Sequence, residues 1–144
     1  MVEVKIITSA GARPPEYQSN GAAGADLFAS VTDPVTIDPG STALIPTGLY
    51  MEIQEGYEAQ IRPRSGLALK NGLTLLNSPG TIDSDYRGEV KIIVTNLGAE
   101  PFTVTDGMRI AQVVFSRVYR GNFIRVDELN STVRDDGGFG HSGV

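Results

Sequence analysis

Two aspartates and a tyrosine lie close together in a polar stretch near the middle of the chain. Asp83, Asp85 and Tyr86 stand between two β-rich runs, with Ser and Gly residues among them. Because Ser, Asp and Gly favour a reversal of the chain, the pattern predicts a β-hairpin across residues 75–94. This hairpin sets a carboxylate, a group that can accept a proton, beside an aromatic ring. On residue types alone, turn formation explains the aspartates best, and the tyrosine is explained as part of a strand.

The elements that must position these residues are predicted to be almost entirely β. Short runs in which apolar and polar residues alternate are separated by Asp-Pro and Pro-Gly turns. Strands are predicted at residues 2–6, 35–37, 44–45, 49–53, 57–61, 90–94, 102–104, 110–115 and 124–126. Glu55-Gly56 predicts a second hairpin turn. Because βαβ alternation is absent, a compact antiparallel barrel or jelly roll is favoured over a parallel sheet.

One short helix is predicted at residues 65–73. Ser65 is its predicted N-cap, and Asn71-Gly72 ends it. Ser, Gly and the main-chain N–H groups at such a helix start form a pocket for an anion, and Arg62 and Arg64 precede it. The alternative is a capped surface helix with two solvated arginines.

Length and composition limit the class of protein. The 144 residues fit one domain, with a β domain at residues 1–130 and a flexible, Gly-rich tail at residues 131–144. The net charge of -5 disfavours binding to nucleic-acid polymers and anionic membranes. No Cys is present, which excludes disulfides, thiolate metal sites and a Cys nucleophile. With no run of about 18 apolar residues, we expect a soluble cytoplasmic protein, or a nuclear one in a eukaryote.

Generic motifs exclude several enzyme classes. Residues 138–143 spell G-x-G-x-x-G, but no helix follows them, so the dinucleotide-binding fold is not predicted. No Walker loop is present. His141 is the single His, and it cannot anchor a multi-His metal site or a preorganised Ser-His-Asp triad on a flexible tail.

Five short stretches, taken together, resemble the five motifs of the trimeric dUTPases in their usual order. The third motif of that family is Gly, a small apolar pair and Asp-x-Asp-Tyr-x-Gly, which stands here at residues 80–88. The others are Ala-Gly-Ala-Asp-Leu-Phe at 23–28, Arg-Pro-Arg-Ser-Gly-Leu at 62–67, Gly-Met-Arg-Ile-Ala-Gln-Val-Val-Phe at 107–115 and Arg-Asp-Asp-Gly-Gly-Phe-Gly-His-Ser-Gly at 134–143. Order and spacing make this resemblance specific, since any one motif alone would be weak.

The resemblance implies a uridine site at the hairpin. Asp83 would be the catalytic base that activates water, and the ring of Tyr86 would pack under the deoxyribose and exclude a 2′-hydroxyl. Unpaired main-chain groups at a hairpin mouth match the alternating acceptors and donors of a pyrimidine edge. The residues implied to bind the base are Asn77, Gly80, Thr81, Ile82 and Lys91.

The resemblance also implies a triphosphate site. Arg64, Ser65, Gly66 and Gln112 would contact phosphate oxygens, although Gln112 also fits as the polar residue of a core strand. Asp26, otherwise a turn or cap residue, would act near the triphosphate by holding a water of the Mg²⁺ shell or by orienting the tail arginine. No direct protein ligand to the metal is expected.

The fifth motif implies a tail that folds over bound substrate. Arg134 would contact the γ-phosphate, and Phe139 would stack on uracil. The remaining substrate-binding residues of the tail are Gly140, His141 and Ser142. Two departures weaken the match, because Asp135 replaces the usual Gly and His141-Ser142 replaces the usual Ser-Thr. An added carboxylate near a polyanion should weaken phosphate binding.

The implied function is hydrolysis of dUTP to dUMP and pyrophosphate with Mg²⁺, which keeps uracil out of DNA. The implied assembly is a homotrimer whose subunits share active sites. Two alternatives stay open at this point. One is a dCTP deaminase of related fold, which needs a carboxylate aimed at C4 of the base. The other is a non-catalytic nucleotide-sensing or protein-binding module.

Overall fold

The computed structural model describes residues 1–138, and ten strands in this part of the chain form three antiparallel sheets. The first large sheet has the order β1 (Val4–Thr8), β4 (Thr42–Ile53), β8 (Glu89–Asn96) and β6 (Leu73–Leu75). The second has the order β2 (Ala25–Phe28), β10 (Arg109–Arg117), β5 (Tyr57–Arg62) and β7 (Gly80–Ile82). A small sheet pairs β3 (Val35–Ile37) with β9 (Phe102–Val104). The predicted all-β class is confirmed.

One apolar core joins the two large sheets. Alternate residues of β8, namely Val90, Ile92 and Val94, are buried, and so are Ala59 and Ile61 of β5. These residues belong to one hydrophobic cluster that also contains residues of β2, β4 and β10. Burying each large aliphatic side chain contributes about 1.5–3 kcal/mol, so the alternation of the sequence supplies the main stabilisation of the sandwich.

The predicted hairpin at residues 75–94 is correct where its two ends pair and wrong in the segment between them. β6 and β8 pair antiparallel, with Leu75 opposite Val94. The connection between them does not stay in that sheet, because β7 pairs with β5 in the second sheet, with Gly80 opposite Ile61. Residues 76–88 therefore cross from one sheet to the other and back.

The second predicted hairpin, at Glu55-Gly56, is wrong. Tyr57 N donates to Gln54 O at 3.2 Å, which closes a turn, but β4 pairs with β1 and β8 while β5 pairs with β10 and β7. Alternating hydrophobicity identifies a strand with one buried face, yet it does not identify the neighbouring strand. A turn between facing sheets has the same sequence signal as a turn within one sheet.

The single helix of the described residues, α1 (Ser65–Asn71), ends where the sequence predicts. Gly72 adopts a left-handed conformation with φ of 68°, and its N–H bonds back to the carbonyls of Ala68 and Leu67. The prediction of Ser65 as N-cap is wrong, because Arg64 holds that position and no side chain caps the helix start. Within residues 1–138, no helix has the length and apolarity needed to cross a membrane.

β1 is an edge strand. The prediction of a strand here is confirmed, but the predicted buried face is not found at Ile6. Ile6 and Ile7 point to opposite faces of the sheet, and both are exposed within the described chain. Lys5 and Glu52 are register partners across β1 and β4 and form an ion pair at 2.7 Å. Their hydrogen bond raises the pKa of Lys5 and lowers that of Glu52.

Two segments differ from the sequence prediction. Residues 25–28, expected to end a loop, form the fully buried strand β2. Residues 118–138 contain neither helix nor strand, so the strand predicted at 124–126 is wrong. Ile124 and Val126 are exposed, since β-forming residues make a strand only where another strand pairs with them. The domain boundary at residue 130 stays a prediction, and the flexible-tail prediction partly concerns residues 139–144, which lie outside the described part.

Asn96 offers a test of how the end of β8 is held. Its side chain is buried, donates to Ile37 O at 2.9 Å and Glu100 O at 2.8 Å, and accepts from Gly98 N at 2.9 Å. Asn96→Ala should lower the free energy of unfolding by about 3 kcal/mol, because it leaves buried main-chain groups without partners.

Urea denaturation measures this change. The control is Thr36→Val, which removes an exposed hydroxyl pair with Thr103 and should change stability by less than about 0.5 kcal/mol. An Asn96→Ala variant as stable as the control would contradict the role of these three bonds.

Candidate active site

A slot of about 300 Å³ opens between β7 and β8. Five of the predicted site residues line it, together with Glu89, which the sequence prediction did not include. The five are Thr81, Ile82, Asp83, Tyr86 and Lys91. The structure therefore brings the predicted base, the predicted aromatic ring and three predicted base-binding residues to one place.

The slot exists because two strands that are close in sequence belong to different sheets. β7 is the last strand of the second sheet, and its only sheet partner among the described strands is β5. β8 pairs with β6 only through residues 94–96, so the edge of its first half is left free on that side. Two main-chain edges thus line the slot, and unpaired N–H and C=O groups on such edges are strong hydrogen-bonding groups.

A tight turn presents the carboxylate of Asp83 at the slot. Tyr86 N donates to Asp83 O at 3.2 Å, which closes the turn over residues 83–86. The guanidinium of Arg87 reinforces it by donating to Ser84 O at 2.7 Å and to Tyr86 O at 3.0 Å. Asp83 itself is exposed, so its carboxylate is accessible to water and to a ligand.

The ring of Tyr86 is fixed by contacts to the residues that follow it, although 43% of the residue is exposed. Its hydroxyl donates to Glu89 O at 3.1 Å. A Cβ atom added to Gly88 would lie 2.5 Å from Cζ and 2.9 Å from Cε2 of the ring. The ring therefore occupies the space that a side chain at position 88 would need.

A second hollow lies at the start of α1. It contains two predicted phosphate-binding residues, Ser65 and Gln112. Gln112 Nε2 donates to Pro63 O at 2.9 Å, which fixes the amide beside the helix start. The remaining residues that line the hollow are Gln60, Arg62, Pro63, Ser78 and Pro79. Arg62 was not predicted as a site residue.

Gly24 makes room for Gln112. A Cβ at position 24 would lie 3.0 Å from Cδ of Gln112 and closer still to Oε1. Gln112 is paired in register with Asp26 on one side and with Arg62 on the other. Three polar side chains thus form one row across β2, β10 and β5 on the same face of the sheet.

Asp26 lies at the centre of an arginine cluster. Its carboxylate accepts from Arg64 Nε at 2.9 Å and from Arg109 Nη1 at 3.3 Å, and Arg64 Nη1 also donates to Arg109 O. Only 7% of Asp26 is exposed. The reading of this residue as a turn or cap residue is wrong, because it lies inside the strand β2 and orients two guanidinium groups. Arg109 was missed by the sequence analysis.

The remaining predicted residues are dispersed in the single chain. Asn77 is exposed beside Gly80, whose added Cβ would lie 3.2 Å from Asn77 Nδ2. Gly66 is exposed on α1, with open space around it. Arg134 is also exposed, and its Nε donates to Gly137 O at 2.8 Å within the tail segment. The predicted residues Phe139, Gly140, His141 and Ser142 lie outside the described part of the chain.

The slot and the hollow are lined by different residues, and their linings approach each other where Thr81 of the slot lies opposite Gln60 of the hollow. Among residues 1–138, no three His, Asp or Glu side chains cluster at the spacing of a metal site.

Comparison with known proteins supports the assignment that the motifs suggested. The family model described as dUTPase matches residues 11–143, which is most of the chain. The chain belongs to the dUTPase family. The family prediction, and with it the fold and the class of enzyme, is confirmed.

Individual relatives of the chain agree with this family assignment. The chain is 61% identical over 130 residues to a deoxyuridine 5′-triphosphate nucleotidohydrolase of Caldanaerobacter subterraneus subsp. tengcongensis, with 90% of this chain and 88% of the relative covered. It is 56% identical over 135 residues to the enzyme of the same name from Chlamydia pneumoniae, with 93% of each chain covered. The dUTPase of Staphylococcus bacteriophage 80alpha, solved with dUpNHpp, has a TM-score of 0.88 at 27% identity and 99% coverage of both chains.

Three residues of the candidate site were not predicted as site residues, namely Arg62, Glu89 and Arg109. Each is charged and lies at the end of a β-strand. Arg62 and Arg109 lie inside the second and fourth motifs, which could have indicated them, whereas Glu89 only follows the third motif and a charge there is common on any protein surface. Only the register of the strands shows that they face the site.

Proposed function

We propose that the protein hydrolyses dUTP to dUMP and pyrophosphate, in the cytoplasm, as part of nucleotide metabolism. The observation that carries this proposal is the slot between β7 and β8, where the carboxylate of Asp83 and the ring of Tyr86 lie together. Family membership supports the same conclusion. The two relatives named above are both deoxyuridine 5′-triphosphate nucleotidohydrolases.

Uracil would bind between the main-chain edges of β7 and β8. Its edge presents acceptor, donor and acceptor, which peptide groups of Thr81, Ile82 and Lys91 can match. Cytosine presents a donor where uracil has O4, so it would leave a buried group unpaired. Gly80 and the amide of Asn77 lie beside this edge, and a 5-methyl group would clash in so narrow a slot.

The deoxyribose would rest on Tyr86. An aromatic ring offers a flat apolar surface that fits the sugar, and a 2′-hydroxyl would have neither space nor a hydrogen-bond partner there. The hydrogen bond from the Tyr86 hydroxyl to Glu89 O supports a fixed ring rather than a freely rotating one.

The triphosphate would bind in the hollow at the helix start. No side chain caps α1, which leaves N–H groups near Ser65 and Gly66 for phosphate oxygens. Arg64 is oriented by Asp26, and Gln112 is oriented by Pro63 O. Side chains held in this way lose little entropy when they bind an anion.

The tail would close over the bound nucleotide, with Arg134 at the γ-phosphate and Phe139 on the base, and with Gly140, His141 and Ser142 beside them. Asp135 has a φ of 45°, a left-handed conformation that Gly adopts more easily. This supports the view that the Asp replaces a family glycine at a backbone position that still requires the unusual conformation.

Mg²⁺ fits this site as a metal held chiefly by the phosphates and by water. The ion usually keeps several waters and takes one or two carboxylates at most. Asp26 already accepts from two arginines, so it would act on the metal only through water. When bound, the ion would neutralise charge on the triphosphate.

Asp83 would act as the general base. Its carboxylate removes a proton from a water molecule placed for in-line attack on the α-phosphorus. Arg64, Ser65, Gln112 and Arg134 would stabilise the negative charge that moves onto the leaving pyrophosphate.

A homotrimer would complete the site. The exposed apolar side chains after β10, among them Ile124 and Val126, support a further subunit that covers them. The site would then combine the slot of one subunit, the hollow of a second and the tail of a third. Closed rings of this kind form through head-to-tail interfaces, in which each subunit offers two different surfaces.

The first test is the choice of substrate. Pyrophosphate release with dUTP, dCTP, dTTP and UTP in parallel should show kcat/KM for dUTP at least about 10²-fold above each competitor, since each lacks a fit to the slot or the ring. Ammonia release from dCTP would indicate a deaminase instead. Binding of dUTP without turnover would indicate a sensing module.

Asp83→Asn tests the general base. The amide keeps the shape of the carboxylate but cannot take the proton, so kcat should fall by about 10²-fold or more while affinity for a non-hydrolysable dUTP analogue is retained. Calorimetry measures that affinity. Asp85→Asn is the matched control, because it removes an equal charge from the same turn and should change kcat by less than about threefold. An unchanged kcat in Asp83→Asn would reject the assignment.

Mixed trimers test the shared site. Asp83→Asn damages the slot, and Arg64→Ala removes a guanidinium of the proposed phosphate site at the start of α1, so each variant alone should be nearly inactive. If a site takes its slot and its hollow from neighbouring subunits, unfolding and refolding the two variants together at equal amounts should restore about a quarter of the wild-type activity. No restored activity, with trimers present by light scattering, would show that each site lies within one chain.

A further inference from the structure

The Tyr86 ring rests on a seat of two residues that would not themselves touch the nucleotide, Gly88 and Glu89. We propose that Gly88 and Glu89 are positioning residues that fix this ring and thereby set the discrimination between deoxyribonucleotides and ribonucleotides. The inference deepens the proposed function and rests on the placement of the sugar on Tyr86. It concerns how the ring is held, which is independent of the identity of the general base.

Gly88 acts by leaving space. The added Cβ distances of 2.5 and 2.9 Å to Cζ and Cε2 of Tyr86 are shorter than atoms tolerate, and the hydroxyl oxygen would lie nearer still. The atoms in conflict belong to the far end of a side chain, so an Ala at position 88 would displace the ring and leave the backbone in place. A side chain at this position would therefore turn the ring out of its present orientation, so that the ring no longer fills the floor of the sugar site.

Glu89 acts through both its main chain and its side chain. Its carbonyl accepts the hydroxyl of Tyr86 at 3.1 Å, which sets the ring orientation. Its carboxylate accepts from Gly48 N at 2.9 Å through Oε1, and Oε2 lies 3.6 Å from Lys91 Nζ. The Glu89 side chain is only 20% exposed, so these contacts are largely shielded from water.

The Gly48 contact connects the seat to a β-bulge. The register of β4 against β8 shifts between Pro46 and Leu49, and Gly48 adopts a left-handed φ of 64° there. A bulge interrupts the ladder between the strands, and the Glu89 carboxylate takes up the Gly48 N–H at that point. The side chain of Glu89 thus fixes the start of β8 to β4. The main-chain carbonyl of Glu89, which accepts the Tyr86 hydroxyl, is fixed with it.

A displaced Tyr86 ring should change selectivity for the sugar and leave selectivity for the base unchanged. The base slot is formed by main-chain groups of β7 and β8. β7 is held by β5, and β8 is held by its pairing with β4 from Val90 onward, so both edges keep their sheet partners when the Glu89 side chain is removed. Loss of the seat would open space where the 2′-hydroxyl is otherwise excluded. The selectivity for dUTP over UTP should then fall, whereas the selectivity for dUTP over dTTP should stay the same.

The experiment compares kcat/KM for dUTP, UTP and dTTP in four variants of the full-length protein. Gly88→Ala and Glu89→Ala should each lower the dUTP-to-UTP ratio by about tenfold, with the dUTP-to-dTTP ratio within about threefold of wild type. Glu89→Gln keeps an oxygen that accepts from Gly48 N, so it should keep the sugar ratio within about threefold of wild type. Gly21→Ala is the matched control, since Gly21 has open space around it and should leave both ratios unchanged.

Tyr86→Ala separates this inference from the proposed function. If Tyr86→Ala lowers the dUTP-to-UTP ratio and Gly88→Ala does not, the inference about Gly88 and Glu89 is overturned while the role of Tyr86 stands. If Tyr86→Ala leaves the sugar ratio unchanged, the proposed sugar site itself is wrong. A parallel fall of both ratios in Gly88→Ala and Glu89→Ala would indicate a general structural defect and would also overturn the inference. Should Glu89→Ala fail to fold, Gly88→Ala carries the test alone.

Discussion

Everything in this site depends on the divergence of β7 and β8 into different sheets. A main-chain edge without a neighbouring strand is a cost in most proteins, because its N–H and C=O groups must find other partners. Here two such edges face a slot of about 300 Å³, where a ligand with alternating donors and acceptors can pair with them. The interruption in the sheet ladder and the proposed recognition of a base are therefore the same feature of the fold.

Two glycines of the candidate site make room for functional side chains. Gly24 lies beneath Gln112 and Gly88 lies beneath Tyr86, and in each case a single added carbon would collide with the functional group. Neither glycine is needed for a left-handed conformation. Both are needed because a longer side chain packs on the bare backbone, which orients that side chain without adding a bond that a ligand would have to break.

A local cluster of positive charge lies on a protein whose net charge is negative. The net charge of -5 repels a triphosphate at long range, yet Arg64 and Arg109 converge on Asp26 at the face where phosphate binding is proposed. One carboxylate shared by two guanidinium groups leaves a surplus of positive charge and fixes its position. The burial of Asp26 makes this arrangement less sensitive to screening by salt than an exposed pair would be.

The sequence by itself determined the all-β class, the end of the helix at Gly72 and the identity of five of the six residues that meet in the slot. These features are local or are carried by motif order, since alternation, turn residues and a glycine at a left-handed position act within a few residues. Only the tertiary structure decided which strands pair, that residues 25–28 form a buried strand, and that Glu89 and Arg109 face the site. Strand pairing depends on contacts between distant segments, and hydrophobic alternation shows which face of a strand is buried without showing what covers it.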